Sequence, residues 1–265
     1  MDGSLETRIK LIQEDRSHGA GWLARQAVEA LAEAVEAGAD PLETGRALAN
    51  ARPAMGAIAG AVGRVLAAAR SPEQLVEEAA ALVALRQRAG MSIAVLLTPD
   101  LHGTVMTHSA SATVREALVH TPPDRIVCTV SEPEDEGRPF AAELEAEGLA
   151  VELVADEDSE RAATTVDLLL LGADAVFPDG SLVNKAGTSK LAEAAHDARV
   201  PVVVACETFK LAPYEPQDPE VRFDLTPPDC IDRYVTEEGE FPPGDVAALV
   251  DRTPFLRQGA ELLGG

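Results

Sequence analysis

The hydrophobic period of this chain changes near residue 90, and that change points to a two-part α/β fold. Before it, apolar residues recur at helical spacing: residues 21–37 carry Leu23, Val28, Leu31 and Val35 and run out near Gly38. Residues 42–51 and 53–69 are rich in Ala and other small residues, which permit close contact between helices. Ser71-Pro72-Glu73-Gln74 opens a further helix. Ser71 is its expected N-cap, Pro72 suits the first helical position, and Gln74 completes a capping-box pattern. This helix is predicted to stop at Gly90. Short apolar runs follow at 92–97, 104–106, 125–130, 151–154, 167–171, 200–205 and 231–235. Helix-like segments such as 112–119, 139–147 and 185–198 separate most of them, and 244–263 reads as a closing helix interrupted near Pro254. Strand–helix alternation of this kind predicts a doubly wound parallel sheet covered on both faces. The expected organisation is an N-terminal helical domain, residues 1–90, followed by an α/β domain, residues 91–265.

Aromatic residues make up only 3% of the chain, so the core must be built from Ala, Val and Leu. There are 45 acidic residues against 22 basic ones, a formal charge of −23. Such a surface repels nucleic acid and anionic membranes. Only four of the basic residues are lysines, and the acidic excess resembles that of salt-in halophile proteins, where molar salt shortens the Debye length to about 3 Å. No uninterrupted apolar run reaches ~18 residues and the N-terminus has no leader pattern, so neither a membrane span nor a signal peptide is expected. Cys128, Cys206 and Cys230 are far apart without a CxxC pair. They fit a reduced cytoplasm and do not form a structural zinc pattern; no metal and no cofactor is expected.

In open α/β sheets, ligands bind beyond the carboxyl ends of the strands, and three segments are expected there. Met106-Thr107-His108-Ser109-Ala110-Ser111 lies between a strand and a helix. Its hydroxyls and the free amides of the helix start make either a phosphate cradle or an ordinary N-cap by Ser109 or Ser111. Leu171-Gly172-Ala173-Asp174 puts a carboxyl group at the exit of a very apolar strand, where desolvation favours an acid/base role, although capping of the next turn is the plainer reading. Asn184-Lys185 with Gly187-Thr188-Ser189 is expected at a helix N-terminus, Lys185 meeting a phosphate as a point charge. Glu207-Thr208-Phe209-Lys210 adds a second ammonium group. Three of the four lysines, Lys185, Lys190 and Lys210, fall in or just after this part of the chain. The pattern suits a small phosphorylated polar ligand.

These segments, taken with others, resemble a known family. His18-Gly19-Ala20, Ala51-Arg52-Pro53, Thr107-His108-Ser109, and Glu132 followed by Glu136-Gly137-Arg138 carry the match in the first half. Gly172-Ala173-Asp174, Asn184-Lys185-Ala186-Gly187-Thr188, Glu207-Thr208-Phe209-Lys210 and Thr226-Pro227-Pro228-Asp229 continue it. The family joins the alpha, beta and delta subunits of eukaryotic translation initiation factor two-B with isomerases of ribose-1,5-bisphosphate and 5-methylthioribose-1-phosphate. The resemblance implies a helical domain followed by a Rossmann-like one, and assembly as dimers or hexamers.

It also implies a site. The isomerases carry their catalytic Cys where Ser109 stands and their catalytic Asp at Asp174. A thiol ionises near pH 8.5 and an alkanol far outside the physiological range, so serine does not replace that group simply. Pro133-Glu134-Asp135 stands where the isomerases have a phosphate-holding Arg, and His18 where they often have another. The implied ligand-binding set is His18, Gly19, Ala20, Arg52, Thr107, His108, Ser111, Glu132, Arg138, Asn184, Lys185, Gly187, Thr188 and Lys210. The expectation is a cytoplasmic, non-catalytic protein like the regulatory subunits, binding a sugar phosphate or nucleotide monophosphate, with an initiation factor as a partner. The alternative is an aldose–ketose sugar-phosphate isomerase, with Asp174 as acid/base and Ser109 only a hydrogen-bonding partner.

Overall fold

The computed structural model describes residues 3–15, 18–53, 55–216 and 219–264. Five helices come first: α1 (Gly3–Glu14), α2 (Ala20–Glu36), α3 (Pro41–Ala49), α4 (Gly56–Ala68) and α5 (Pro72–Leu97). The capping residues act locally as their chemistry dictates. Asp40 accepts a hydrogen bond from the Glu43 amide, and Ser71 Oγ accepts one from the Gln74 amide at 3.3 Å. Gln74 Oε1 in turn accepts from the Arg70 amide at 3.0 Å. Loss of such a cap costs about 1 kcal/mol. Ser71→Ala is therefore expected to lower unfolding free energy by that amount in a denaturant titration.

Helix α5 corrects one expectation. It neither stops at Gly90 nor gives way to a strand at 92–97, but runs unbroken to Leu97. Ile93, Ala94 and Leu97 are fully buried at helical spacing, and a short apolar run of this kind cannot be told from a buried strand by pattern alone. Gly90 serves close contact rather than termination: a Cβ there would lie 2.0 Å from Glu116 Oε2. By length and composition α5 could cross a bilayer; Leu75, Ala79, Ala89, Ile93, Ala94 and Leu97 are buried in the protein, whereas Leu85, Met91 and Val95 are exposed.

The second part alternates β1 (Thr104–Thr107), α6 (Ala112–His120), β2 (Arg125–Thr129), α7 (Gly137–Ala146), β3 (Val151–Val154), α8 (Asp156–Ala163) and β4 (Leu168–Leu171). After β4 come β5 (Ala175–Val176), β6 (Leu182–Lys185), α9 (Thr188–Asp197) and β7 (Val202–Ala205). The chain ends with β8 (Phe223–Thr226), β9 (Arg233–Thr236), β10 (Gly239–Phe241), α10 (Val246–Arg252) and α11 (Leu256–Leu263).

The main sheet has the order β10-β9-β7-β4-β1-β2-β3, parallel except for the β9–β10 hairpin at one edge. Its strands alternate between two cores, as period two requires. Val105, Ile126, Cys128, Leu168, Leu170 and Val203 face α5, α6 and α7. Met106, Val127, Leu169, Leu171, Val202 and Val204 face the layer that includes α8, α9 and α10. The fold is thus α/β with N-terminal helices and a doubly wound, mostly parallel sheet.

A second sheet, β5-β6-β8, is antiparallel and was not expected. Its Ala175, Val183 and Phe223 join the core of the N-terminal helices. It also moves Asn184 and Lys185: they end strand β6, and the helix expected to hold them begins at Thr188.

Candidate functional site

The sheet's topology reverses between β1 and β4, which are adjacent and send the chain in opposite directions along the sheet. Ligand crevices in open α/β sheets lie beyond the strand ends at such a point. Here β1 leads to Ser109 and β4 leads to Asp174. A cleft with a cavity of about 90 Å3 opens between them, and the start of α2, Arg86 on α5 and the end of β6 close it. Of the sequence-predicted residues, His18, Gly19, Ala20, Arg52, Ser109, Ser111, Asp174, Asn184, Lys185 and Lys210 line it.

A chain of hydrogen bonds fixes the β1 end. The Ser109 amide donates to Ser131 Oγ at 2.9 Å, and Ser131 and Thr129 hydroxyls meet at 2.8 Å. Thr129 Oγ1 lies 2.7 Å from His108 Nδ1, and His108 Nε2 lies 3.0 Å from the Ala186 carbonyl. A carbonyl only accepts, so Nε2 carries the proton and Nδ1 accepts from Thr129. Burial holds His108 below the usual imidazole range against the pull of the Ala186 carbonyl, which agrees with a neutral ring. This order leaves Ser109 with a left-handed backbone, φ 63°, at the cleft wall.

The cations of the cleft come with carboxylates. Lys185 Nζ pairs with Glu134 and, at 2.7 Å, with Glu136 Oε1. Arg222 Nη1 reaches Glu134 Oε1 at 3.2 Å. Burial raises the Glu134 carboxyl, but hydrogen bonding and charge from Lys185, with Arg222, bring it below the ordinary range. Lys210 Nζ lies 3.0 Å from Glu207 Oε2; both side chains are buried, and Glu207 Oε1 also accepts from Thr113 Oγ1. Arg52 Nη1 donates to the Asp15 carbonyl at 2.8 Å. His18 Nδ1 donates to Asp15 Oδ2 at 2.8 Å while its ring stacks on Trp22.

Two helix starts face the same space. Gly19, Ala20 and Gly21 open α2, and Ser111, Ala112 and Thr113 open α6; all six line the cleft. Ser111 Oγ caps α6 by accepting from the Val114 amide. Among the described residues, the amides of Ala20, Gly21, Ala112 and Thr113 have no hydrogen-bond partner. Free amides at helix N-termini favour anions through both hydrogen bonding and the helix dipole. Opposite them, burial pushes the Asp174 carboxyl up to about 6, against the opposing pull of Lys210. Among the described residues this carboxyl accepts no hydrogen bond, so it can hold or release a proton near neutral pH.

Six sequence-predicted residues lie elsewhere. Thr107 is buried in β1, and both His108 nitrogens are used as above. Gly187, at φ 102°, and Ser189 give their amides to Asp224 Oδ2, at 2.8 and 3.1 Å, so a carboxylate of this chain already caps α9. Thr188 Oγ1 bonds to the Lys185 carbonyl and accepts from Asn184 Nδ2. Glu132 is exposed, its amide on Asp156, and exposed Arg138 lies 4.0 Å from Asp135. Conversely, Trp22, Arg86, Glu136 and Arg222 line the cleft without having been singled out for it. Glu136 carried a sequence signal, as part of the segment Glu136-Gly137-Arg138 that bears the family resemblance; Arg86 and Arg222 reach the cleft only through tertiary contacts.

The initiation factor 2 subunit family, IF-2B, matches residues 16–222. The ribose 1,5-bisphosphate isomerase of Haloferax volcanii is 35% identical over 178 residues, 56% of this chain and 55% of that protein, so the match spans about half of the isomerase. A translation initiation factor eIF-2B subunit 2-like protein of Pyrococcus horikoshii is 27% identical over 268 residues, 90% of this chain and 96% of that one. The crystal structure of the Pyrococcus horikoshii OT3 translation initiation factor eIF-2B superimposes with a TM-score of 0.82 at 25% identity, covering 92% of this chain and 98% of that one. The family match over residues 16–222, together with the shared fold, places this chain in the initiation factor 2 subunit family.

Proposed function

We propose that this protein binds a small phosphorylated sugar or nucleoside monophosphate without isomerising it. The observation that carries the reading is the pair of helix starts with four unpartnered amides, facing Asp174 and Asn184 across one cleft. A phosphate would sit on the amides with Arg86 beside it, and ribose hydroxyls would meet Asp174 and Asn184. The non-catalytic part rests on Ser109, which stands where the resemblance expects a thiol. Cys128 and Cys206 lie outside the cleft lining, and burial pushes both thiols up to about 12. Assembly of like chains belongs to the same proposal: α5 leaves Leu85, Met91 and Val95 exposed, apolar surface suited to a subunit contact.

Thermal unfolding in high salt with AMP, ribose 5-phosphate and ribose 1,5-bisphosphate tests the binding. Ligand at ~100 times its dissociation constant adds about 2.7 kcal/mol, so a saturable rise in Tm is expected with a monophosphate. No rise with any of the three would remove the proposed phosphate seat. The second reading, an isomerase, draws on the relatives that bear that name and on the raised pKa of Asp174. Conversion of ribose 1,5-bisphosphate to the ketose, abolished in Asp174→Asn, would establish it in place of the first.

A further inference from the structure

We infer that Glu134 and Glu136 are specificity-determining residues that occupy one end of the cleft with this chain's own negative charge and select ligands carrying a single phosphate. The inference rests on the phosphate-binding reading above. The cleft's cations fall into two groups. Lys185 and Arg222, at the end of β6 and before β8, face two carboxylates and form a cluster of zero formal charge. The other group, Arg52, Arg86 and Lys210, lies with the starts of α2 and α6 and with the carboxyl groups of Asp174 and Glu207.

The two carboxylates are carried by an anchored turn between β2 and α7. The Ser131 and Glu132 amides donate to the two oxygens of Asp156, at 2.9 and 2.7 Å. The Asp135 amide returns to the Ser131 carbonyl, and that of Gly137 to the Val130 carbonyl at 3.0 Å. Gly137 lies so close to the β2 backbone that a Cβ there would be 1.8 Å from the Thr129 carbonyl oxygen. The turn is therefore held at both ends, and Glu134 and Glu136 reach Lys185 from a fixed base.

A second phosphate brought to this end would meet two carboxylates and compete with them for Lys185 and Arg222. Like charges a few ångströms apart in a part-buried site repel strongly, and salt screens buried pairs poorly. A ligand with one phosphate leaves the cluster intact and presents hydroxyl groups, which carboxylates accept readily.

Isothermal titration of wild type, Glu134→Gln/Glu136→Gln and Glu136→Gln with ribose 5-phosphate and ribose 1,5-bisphosphate tests this. Wild type is expected to prefer the monophosphate. In the double variant the affinity ratio should move toward the bisphosphate on the order of tenfold or more, with a smaller move in Glu136→Gln. The single variant keeps Glu134 on Lys185 and Arg222, so it gives the same test should the double variant fold poorly. A wild-type preference for the bisphosphate, or a ratio unchanged by the substitutions, overturns the inference while leaving the phosphate seat standing. Binding of neither ligand to any of the three proteins overturns both.

Discussion

Replacing Lys210 with methionine is expected to destabilise the ligand-free protein by about 3–5 kcal/mol, because it breaks a buried ion pair from one side. Lys210 and Glu207 are almost fully buried, 3.0 Å apart, on the short turn that follows β7. Burial acts to raise the Glu207 carboxyl, and the charge and hydrogen bonding of Lys210 outweigh it, holding the group below its ordinary range. Without the ammonium, the carboxylate keeps, among the described residues, the Thr113 hydroxyl and Arg86 Nε at 4.0 Å. For a chain of this size the loss corresponds to a fall in Tm of roughly 10 °C. It should shrink as pH falls toward 4, where the orphaned carboxyl can take up a proton. Lys210→Met/Glu207→Gln should recover at least half of the loss, since the double change removes the uncompensated charge. Denaturant titrations of the three proteins without ligand decide the matter. A Lys210→Met protein as stable as wild type would mean that the lysine is not needed by the fold and is available to a ligand instead.

That expectation also marks where sequence reasoning ran out. The scarcity of lysine and the placement of Lys210 after an apolar strand were legible, and the side chains of Lys185 and Lys210 both line the cleft. Their partners were not equally so. Glu207 is three residues from Lys210 and inside the same segment, but Glu134 meets Lys185 across 51 residues of sequence, through a contact that exists only once β2 and β6 are in place. The main sheet was readable because buried parallel strands are nearly continuous apolar runs, as Leu168–Leu171 and Val202–Ala205 show. The small sheet was not: β5 has two residues, and β6 and β8 contain Asn184, Lys185 and Asp224, which break any apolar pattern. The insertion of β5 and β6 between β4 and the helix α9 is why Asn184 and Lys185 sit on a strand, and the pairing of β8 with β6 is why Asp224 caps the helix that a phosphate was expected to meet.

The buried acid at the centre of the cleft has a measurable consequence for stability. The Asp174 carboxyl, ordinarily near 3.8, is pushed up to about 6 by burial, more than Lys210, Arg52 and Lys185 pull it down. The folded state therefore binds this proton more tightly than the unfolded chain does. Below about pH 4 the group is protonated in both states and costs nothing. As pH rises to about 6 the unfolded state loses its proton first, and stability falls; above that the cost is complete. A shift of roughly two units corresponds to about 3 kcal/mol. Asp174→Asn removes the titration while keeping the size of the side chain. The variant should thus gain about 2–3 kcal/mol over wild type at pH 7 relative to its gain at pH 4, in guanidinium titrations at the two values. An equal difference at both values would show that the carboxyl is not strained by burial. The predicted gain is the signature of a group kept for the cleft's chemistry at the expense of the fold, because an amide would satisfy the fold better. Joined to the ligand titrations, it separates the two readings of the family resemblance. A destabilising Asp174 whose removal weakens ribose 5-phosphate binding without affecting any turnover belongs to a ligand site, whereas one whose removal ends ketose formation belongs to an enzyme.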